Sequence, residues 1–168
     1  MPTRRRCAER CSKWPHRKAG CSRNRNRRPL PRLRVVMFVG IVNNASAQLL
    51  TADGERGRSM RDAIGAAAWQ LGLPLSLPEE SLLRAEALDI EELSIVDLPA
   101  LNAVARSAGG DVALLGSLVW DETAGGWKAD WRLDQHGIDY RWRTAGVSFD
   151  QAFRNAAEGA AMILSAAE

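Results

Sequence analysis

The sequence predicts an α/β (α+β) domain, with a single mixed sheet of about four to five strands that ends in an antiparallel meander and is packed by about four helices. Three observations carry this expectation. Two apolar runs, the β-branched Val35 to Val42 and the continuous Val112 to Trp120, read as buried strands, and the chain between them holds leucines and alanines at helical spacing. Next, Trp127, Ala129, Trp131 and Leu133 alternate with Lys128, Asp130, Arg132 and Asp134, and the alternation resumes after a Gln135-His136-Gly137 turn. Last, Ser148 and Gln151 form a capping box ahead of an apolar stripe at Phe149, Phe153, Ala156, Ala160 and Ile163.

The elements follow in order. After the first run, Asn43-Asn44 and Asp53-Gly54-Glu55-Arg56-Gly57 supply turn chemistry around a short Gln48-Leu49-Leu50 segment. Ser59 reads as a helix N-cap, and Met60, Ile64, Ala67, Ala68 and Leu71 give an amphipathic helix over 59–71, stopped by Gly72 and Pro74. Leu73 to Leu77 is a short strand or extended link. Glu79 to Leu93 is Glu-rich, with leucines at 82, 83, 88 and 93, and reads as one or two short helices starting at Ser81 or Asp89. Asp97 and Pro99 open a helix whose Leu98, Leu101, Val104, Ala105 and Ala108 share a face, ended by Gly109-Gly110. Val112 to Trp120 is then the central strand. The meander follows, with Ile138, Tyr140 and Trp142 set against Asp139, Arg141 and Arg143, and its tryptophans are expected beneath the terminal helix.

A length of 168 residues supports one domain with its own core. The net charge of +3 conceals a boundary. Met1 to Arg34 holds 13 Lys/Arg against Glu9, a net +12, while the remainder has ten basic and nineteen acidic residues, a net −9. Residues 1–32 therefore read as a basic arm that cannot bury enough apolar surface to fold, and 33–168 as a single domain. All three cysteines lie in the arm, so no disulfide framework holds the domain.

Val35 to Val42 has a second reading, as the apolar core of a signal peptide cleaved after Ala45-Ser46-Ala47. The long positive region before it and its β-branched composition favour the strand. No run approaches the ~18 apolar residues of a membrane-spanning helix.

The segments LGLPLSLP (Leu71 to Pro78), GGDVALLGSL (Gly109 to Leu118) and GGWKADWRL (Gly125 to Leu133), followed by Trp142 and a terminal helix, resemble in order and spacing the C-terminal part of the proteobacterial domain of unknown function 2066 family. The resemblance covers about 33–168, and the Trp-x3-Trp hairpin is its most specific piece. It implies a periplasmic or envelope-associated protein without known activity. Members are usually longer, with an N-terminal domain and signal peptide, and the first 32 residues here match nothing in the family. A full-length chain with its arm uncleaved would instead be cytoplasmic.

Chemistry-bearing residues are sparse. The arm contains Cys7-x3-Cys11-x4-His16-x4-Cys21, one residue longer in its first gap than a zinc knuckle. Its tetrahedral ligand set would suit zinc in a small RNA-binding module. Pro15 stands where the knuckle has glycine and no aromatic follows Cys7, so the reading taken is a polybasic tail with no metal and no cofactor. His136, beyond the arm, reads as an exposed hairpin residue without a nucleophile motif. Gly54-x-x-Gly57 and Gly109-Gly110 lack a Walker lysine and read as a turn and a cap. Glu79-Glu80 and Glu91-Glu92 read as solvated faces. Trp127, Trp131, Tyr140 and Trp142 are candidates for a carbohydrate or peptide site if their face is open, and for core if it is covered by Phe149 and Phe153.

The expected function is therefore a non-enzymatic module, with no catalytic residue assigned, that binds another protein through a sheet edge or its charged hairpin face. The alternative is a nucleic-acid-binding protein working through the Arg-rich arm, whose charge also suits anionic lipid by the same non-specific electrostatics.

Overall fold

A computed structural model describes residues 33–44 and 46–166. Cys7, Cys11, His16 and Cys21, with the rest of the basic arm, lie outside the described residues. In chain order the elements are β1 (Val35–Asn43), β2 (Ser46–Leu49), α1 (Glu55–Leu71), β3 (Leu75–Ser76), α2 (Glu80–Ala85), α3 (Ile90–Ile95), α4 (Leu98–Ser107), β4 (Val112–Asp121), β5 (Gly126–Gln135), β6 (Ile138–Val147) and α5 (Phe149–Ala166).

The strands form one mixed sheet in the order β2-β1-β4-β5-β6. β1 and β4 run parallel over eight residue pairs, Val35 beside Val112 through Val42 beside Val119. β4, β5 and β6 are the antiparallel meander. The other edge of β1 is shared by two short strands: β3 pairs in parallel with Val35 and Val36, and β2 pairs antiparallel with Gly40 to Asn43. The apolar run read as a strand is thus β1, flanked on both sides and buried from Val35 through Ile41.

Both faces of β1 are covered because alternate side chains point to opposite sides of the sheet. Val35, Met37, Val39 and Ile41 meet Met60 and Ile64 of α1 and the alanine-rich stripe of α5. Val36 and Phe38 enter a second cluster with Leu83, Leu93, Leu98, Leu101 and Ala105 from α2, α3 and α4. β4 behaves likewise at its start, with Leu114 in the first cluster and Ala113 and Leu115 in the second. Beyond Leu115 the second cluster ends, and Ser117 and Val119 are exposed. That change along one strand marks where the α2–α4 layer stops.

The meander tryptophans lie on the α5 face. Trp131 is buried and edge-on to Phe153, with ring centroids 5.7 Å apart. Its ring occupies the space over Gly116 on β4, where a Cβ would come within 2.1 Å of it. Between β5 and β6, His136 (φ 55°) and Gly137 (φ 80°) are both left-handed, as the two-residue hairpin turn matching strand twist requires.

Several boundaries differ from the sequence reading. α1 begins at Glu55, with Gly54 as N-cap, and not at Ser59, whose hydroxyl donates to the Arg56 carbonyl. The Asp53-to-Gly57 cluster is therefore turn and first helical turn together, because the Thr51 hydroxyl accepts from the Gly54 N–H and starts the helix early. Gln48-Leu49 is strand β2: Asn43 accepts from the Ser46 N–H at 3.0 Å and folds the chain back on β1. Glu79 to Leu93 resolves into two helices, of which α3 is capped by Asp89 accepting from the Glu92 N–H at 2.8 Å. With these additions the described residues form six strands and five helices. The Ser148 capping box forms reciprocally, with Gln151 Oε1 accepting from the Ser148 N–H and Ser148 Oγ from the Gln151 N–H.

Candidate functional site

The α2–α4 layer packs on β1 and β4 and leaves the corresponding face of β5 and β6 open. The alternation that buries Trp131 and Leu133 sends Lys128, Asp130, Arg132 and Asp134 of β5 to this open side, joined by Asp139, Arg141 and Arg143 of β6. Four of the ten basic residues after Arg34 are collected here, on a domain of net −9.

Cross-strand register decides how the charges pair. Asp130 lies directly opposite Arg143, and the two form an ion pair. Arg132 lies opposite Arg141, an unfavourable juxtaposition that Asp139 relieves: its Oδ2 accepts from Arg132 Nη2 at 3.0 Å and from Arg141 Nε at 2.8 Å. Burial pushes the Asp139 carboxyl up, but the hydrogen bonds and charges of Arg141 and Arg132 together outweigh it and hold it below the usual aspartate value. Asp134 is held by Asn102 of α4, whose Nδ2 donates to Asp134 Oδ2 at 3.2 Å while its Oδ1 accepts from the Ala113 N–H at 2.7 Å. One amide thus ties α4, β4 and β5 together at the margin of the open face.

The exposure of these groups is asymmetric. The side chains of Arg141 and Arg143 are 67% and 63% exposed, whereas those of Asp139 and Asp130 are 31% and 39% exposed. In these two pairs the carboxylate is the more covered partner, and the guanidinium groups of Arg141 and Arg143 face solvent. Beside the open face, a groove of about 350 Å³ runs between α3 and the sheet, with Ile90, Leu93 and Ser94 on one side and Asp130 and Arg132 on the other.

β6 also forms the end of the sheet, and among the described residues no strand pairs with its outer edge. The turn places Gln135 opposite Ile138, the pair closed by the i to i+3 turn bond. Inward and outward backbone groups alternate from there, so Tyr140 and Trp142 bond to β5 while the N–H and C=O groups of Asp139, Arg141 and Arg143 point outward.

No family model and no curated protein matches the chain. Among solved structures it is similar to the LpoB C-terminal domain from Salmonella enterica, at 16% identity and a TM-score of 0.40, covering 70% of this chain and 83% of that one. It is also similar to a competence or damage-inducible protein from Enterobacter asburiae, at 14% identity and a TM-score of 0.36, covering 82% of this chain and 89% of that one.

The other residues singled out in the sequence fall into structural roles. His136 is exposed in the hairpin turn, its ring nitrogen 3.2 Å from the Gln135 amide. Trp127, Trp131 and Trp142 pack under α5, and Trp142 Nε1 donates to the Asn155 carbonyl at 3.3 Å, so α5 closes the aromatic face. Tyr140 is half-buried on the same side. Glu79 and Glu80 begin α2, and the Glu80 N–H donates to Asp53 Oδ1 at 3.0 Å, a bond that lowers the Asp53 carboxyl below its ordinary value. Glu91 and Glu92 lie in the first turn of α3. A wider cleft of about 710 Å³ between β2, α2 and α3 is lined by Glu80, Arg84, Asp89 and Glu91. Glu80 is paired with Arg84, and Asp89 caps α3. Among the described residues no three His, Cys, Asp or Glu side chains converge as a metal-ligand set, and no helix is long and apolar enough to cross a membrane.

Proposed function

We propose that this protein is a non-enzymatic interaction module of the bacterial envelope that binds another protein along the β6 edge and the adjoining charged face of the β5–β6 hairpin. The observation that carries the reading is β6 itself, a ten-residue strand at the end of the sheet whose outer edge pairs with no other strand among the described residues. Such an edge takes an extended segment by adding a strand, with main-chain bonds giving affinity and alternate side chains giving selectivity. The envelope placement rests on the sequence resemblance of Leu71 to Pro78, Gly109 to Leu118 and Gly125 to Leu133 to the family of unknown function 2066. The +12 arm supports a second reading, binding to nucleic acid by counterion release.

The two readings separate in one experiment. A photo-crosslinking side chain is placed at Ile138 or Ala145, both exposed on β6, or at Arg106 on α4, and irradiated in cells of the source organism. The expected result is a protein adduct from the β6 positions and none from position 106, persisting when Met1 to Arg32 is deleted. No adduct from β6, or nucleic-acid adducts lost with the arm, contradicts the edge-binding reading.

A further inference from the structure

We infer that the segment taken at β6 is an acidic, amphipathic strand in which carboxylates alternate with apolar side chains. The inference rests on the edge-binding reading and adds the chemistry of the partner.

An added strand continues the pleat of the sheet, so its side chains alternate between the two faces in step with those of β6. On one face its neighbours are Arg141 and Arg143; on the other they are Ile138, Tyr140 and Trp142. Arg141 spends both bonded nitrogens, Nε and Nη2, on a single oxygen of Asp139, and Arg143 engages Asp130 through Nε. A guanidinium carries five N–H donors in a planar fork, so both arginines retain donors for an incoming carboxylate. The carboxylates they already hold are the less exposed partners, and it is the two guanidinium groups that are open to solvent. A strand with acids at two alternate positions meets Arg141 and Arg143 together; one with lysines there meets like charge. Asp139 occupies the next alternate position, which confines the acidic stretch to two residues and favours a neutral or basic third.

On the opposite face, Ile138 is exposed and Tyr140 and Trp142 are half-buried beside α5. They offer apolar contact to the residues between the acids, and the required pattern is therefore carboxylate-apolar-carboxylate. A second copy of β6 set antiparallel with Arg141 opposite Arg143 would place two like-charge pairs side by side, which disfavours that register.

The test uses the full chain and three labelled ten-residue peptides: threonine alternating with valine in which two successive threonines are replaced by glutamate, the same alternating peptide with lysine at those two positions, and a block peptide with two adjacent glutamates ahead of the threonines and valines. Binding is read by fluorescence anisotropy, and its place by amide exchange at Asp139, Arg141 and Arg143. The alternating acidic peptide is expected to bind about tenfold tighter than the other two, slowing exchange at those three amides. In Arg141→Gln/Arg143→Gln the preference falls to about unity, and in Arg141→Glu/Arg143→Glu it passes to the lysine peptide. If both alternating peptides protect the edge equally, the edge-binding reading stands and the acidic preference is overturned. If the acidic and block peptides bind equally without protecting β6, the arm is the binder and both are overturned. If no peptide protects the edge, both likewise fall.

Discussion

Replacing Trp131 by alanine is expected to cost about 3 kcal/mol of folding stability, measured as a shift of the urea midpoint at unchanged slope. Trp131 is buried on β5, its ring over Gly116 and edge-on to Phe153, so truncation leaves a cavity walled by two strands and α5. The strands are fixed by their ladders and cannot collapse into that space, which puts truncation of a buried Trp in the range of about 3 to 5 kcal/mol. One term works the other way: Trp131 Nε1 is buried without a hydrogen-bond partner among the described residues, and its removal relieves a desolvation penalty of about 1 kcal/mol or more. The net loss therefore falls at the lower end of that range. Trp69, exposed on the outer side of α1, is the control, and Trp69→Ala is expected to change stability by less than about 0.5 kcal/mol.

A larger effect is expected from removing residues 1–47, which deletes β1. Val35, Val36, Met37, Phe38, Val39 and Ile41 are buried, and at about 1.5 to 3 kcal/mol per side chain their loss is roughly 9 to 18 kcal/mol. A domain of this size is stable by only about 5 to 15 kcal/mol in total. β1 is moreover the partner of β2, β3 and β4, so the deletion, which also takes Ser46 and Ala47 of β2, leaves β3 without its partner and opens the edge of β4. A chain beginning at Gln48 is expected to show no cooperative thermal transition, whereas one beginning at Leu33 melts cooperatively. A cooperative transition in the shorter chain would remove Val35 to Val42 from the sheet and restore its reading as a cleaved leader.

The meander was legible because its signal is local: the alternation of Trp127, Ala129, Trp131 and Leu133 fixes both the strand and its buried face, and two left-handed turn residues fix the hairpin. Ser148 with Gln151 was legible for the same reason. β2 was not, since four residues with a mixed pattern become a strand only when β1 offers an edge beside them. The start of α1 was hidden by Gly54 and Gly57, which read as turn residues until Thr51 is known to pack against them. The charged residues of the candidate site stood in plain sequence, but their meaning is topological. Nothing local distinguishes β6, at the end of the sheet, from β5, inside it, and Asn102, 32 residues from Asp134, joins the site only through the packing of α4.

The central claim is that β6 carries an open edge, and amide hydrogen exchange along that strand in the free full-length protein tests it most directly. The N–H groups of Tyr140 and Trp142, bonded to β5, should be protected by orders of magnitude, while those of Asp139, Arg141 and Arg143 exchange near the rate of an unstructured chain. That alternation is the predicted result. Uniform protection across all five would show the edge already covered, and would contradict the account.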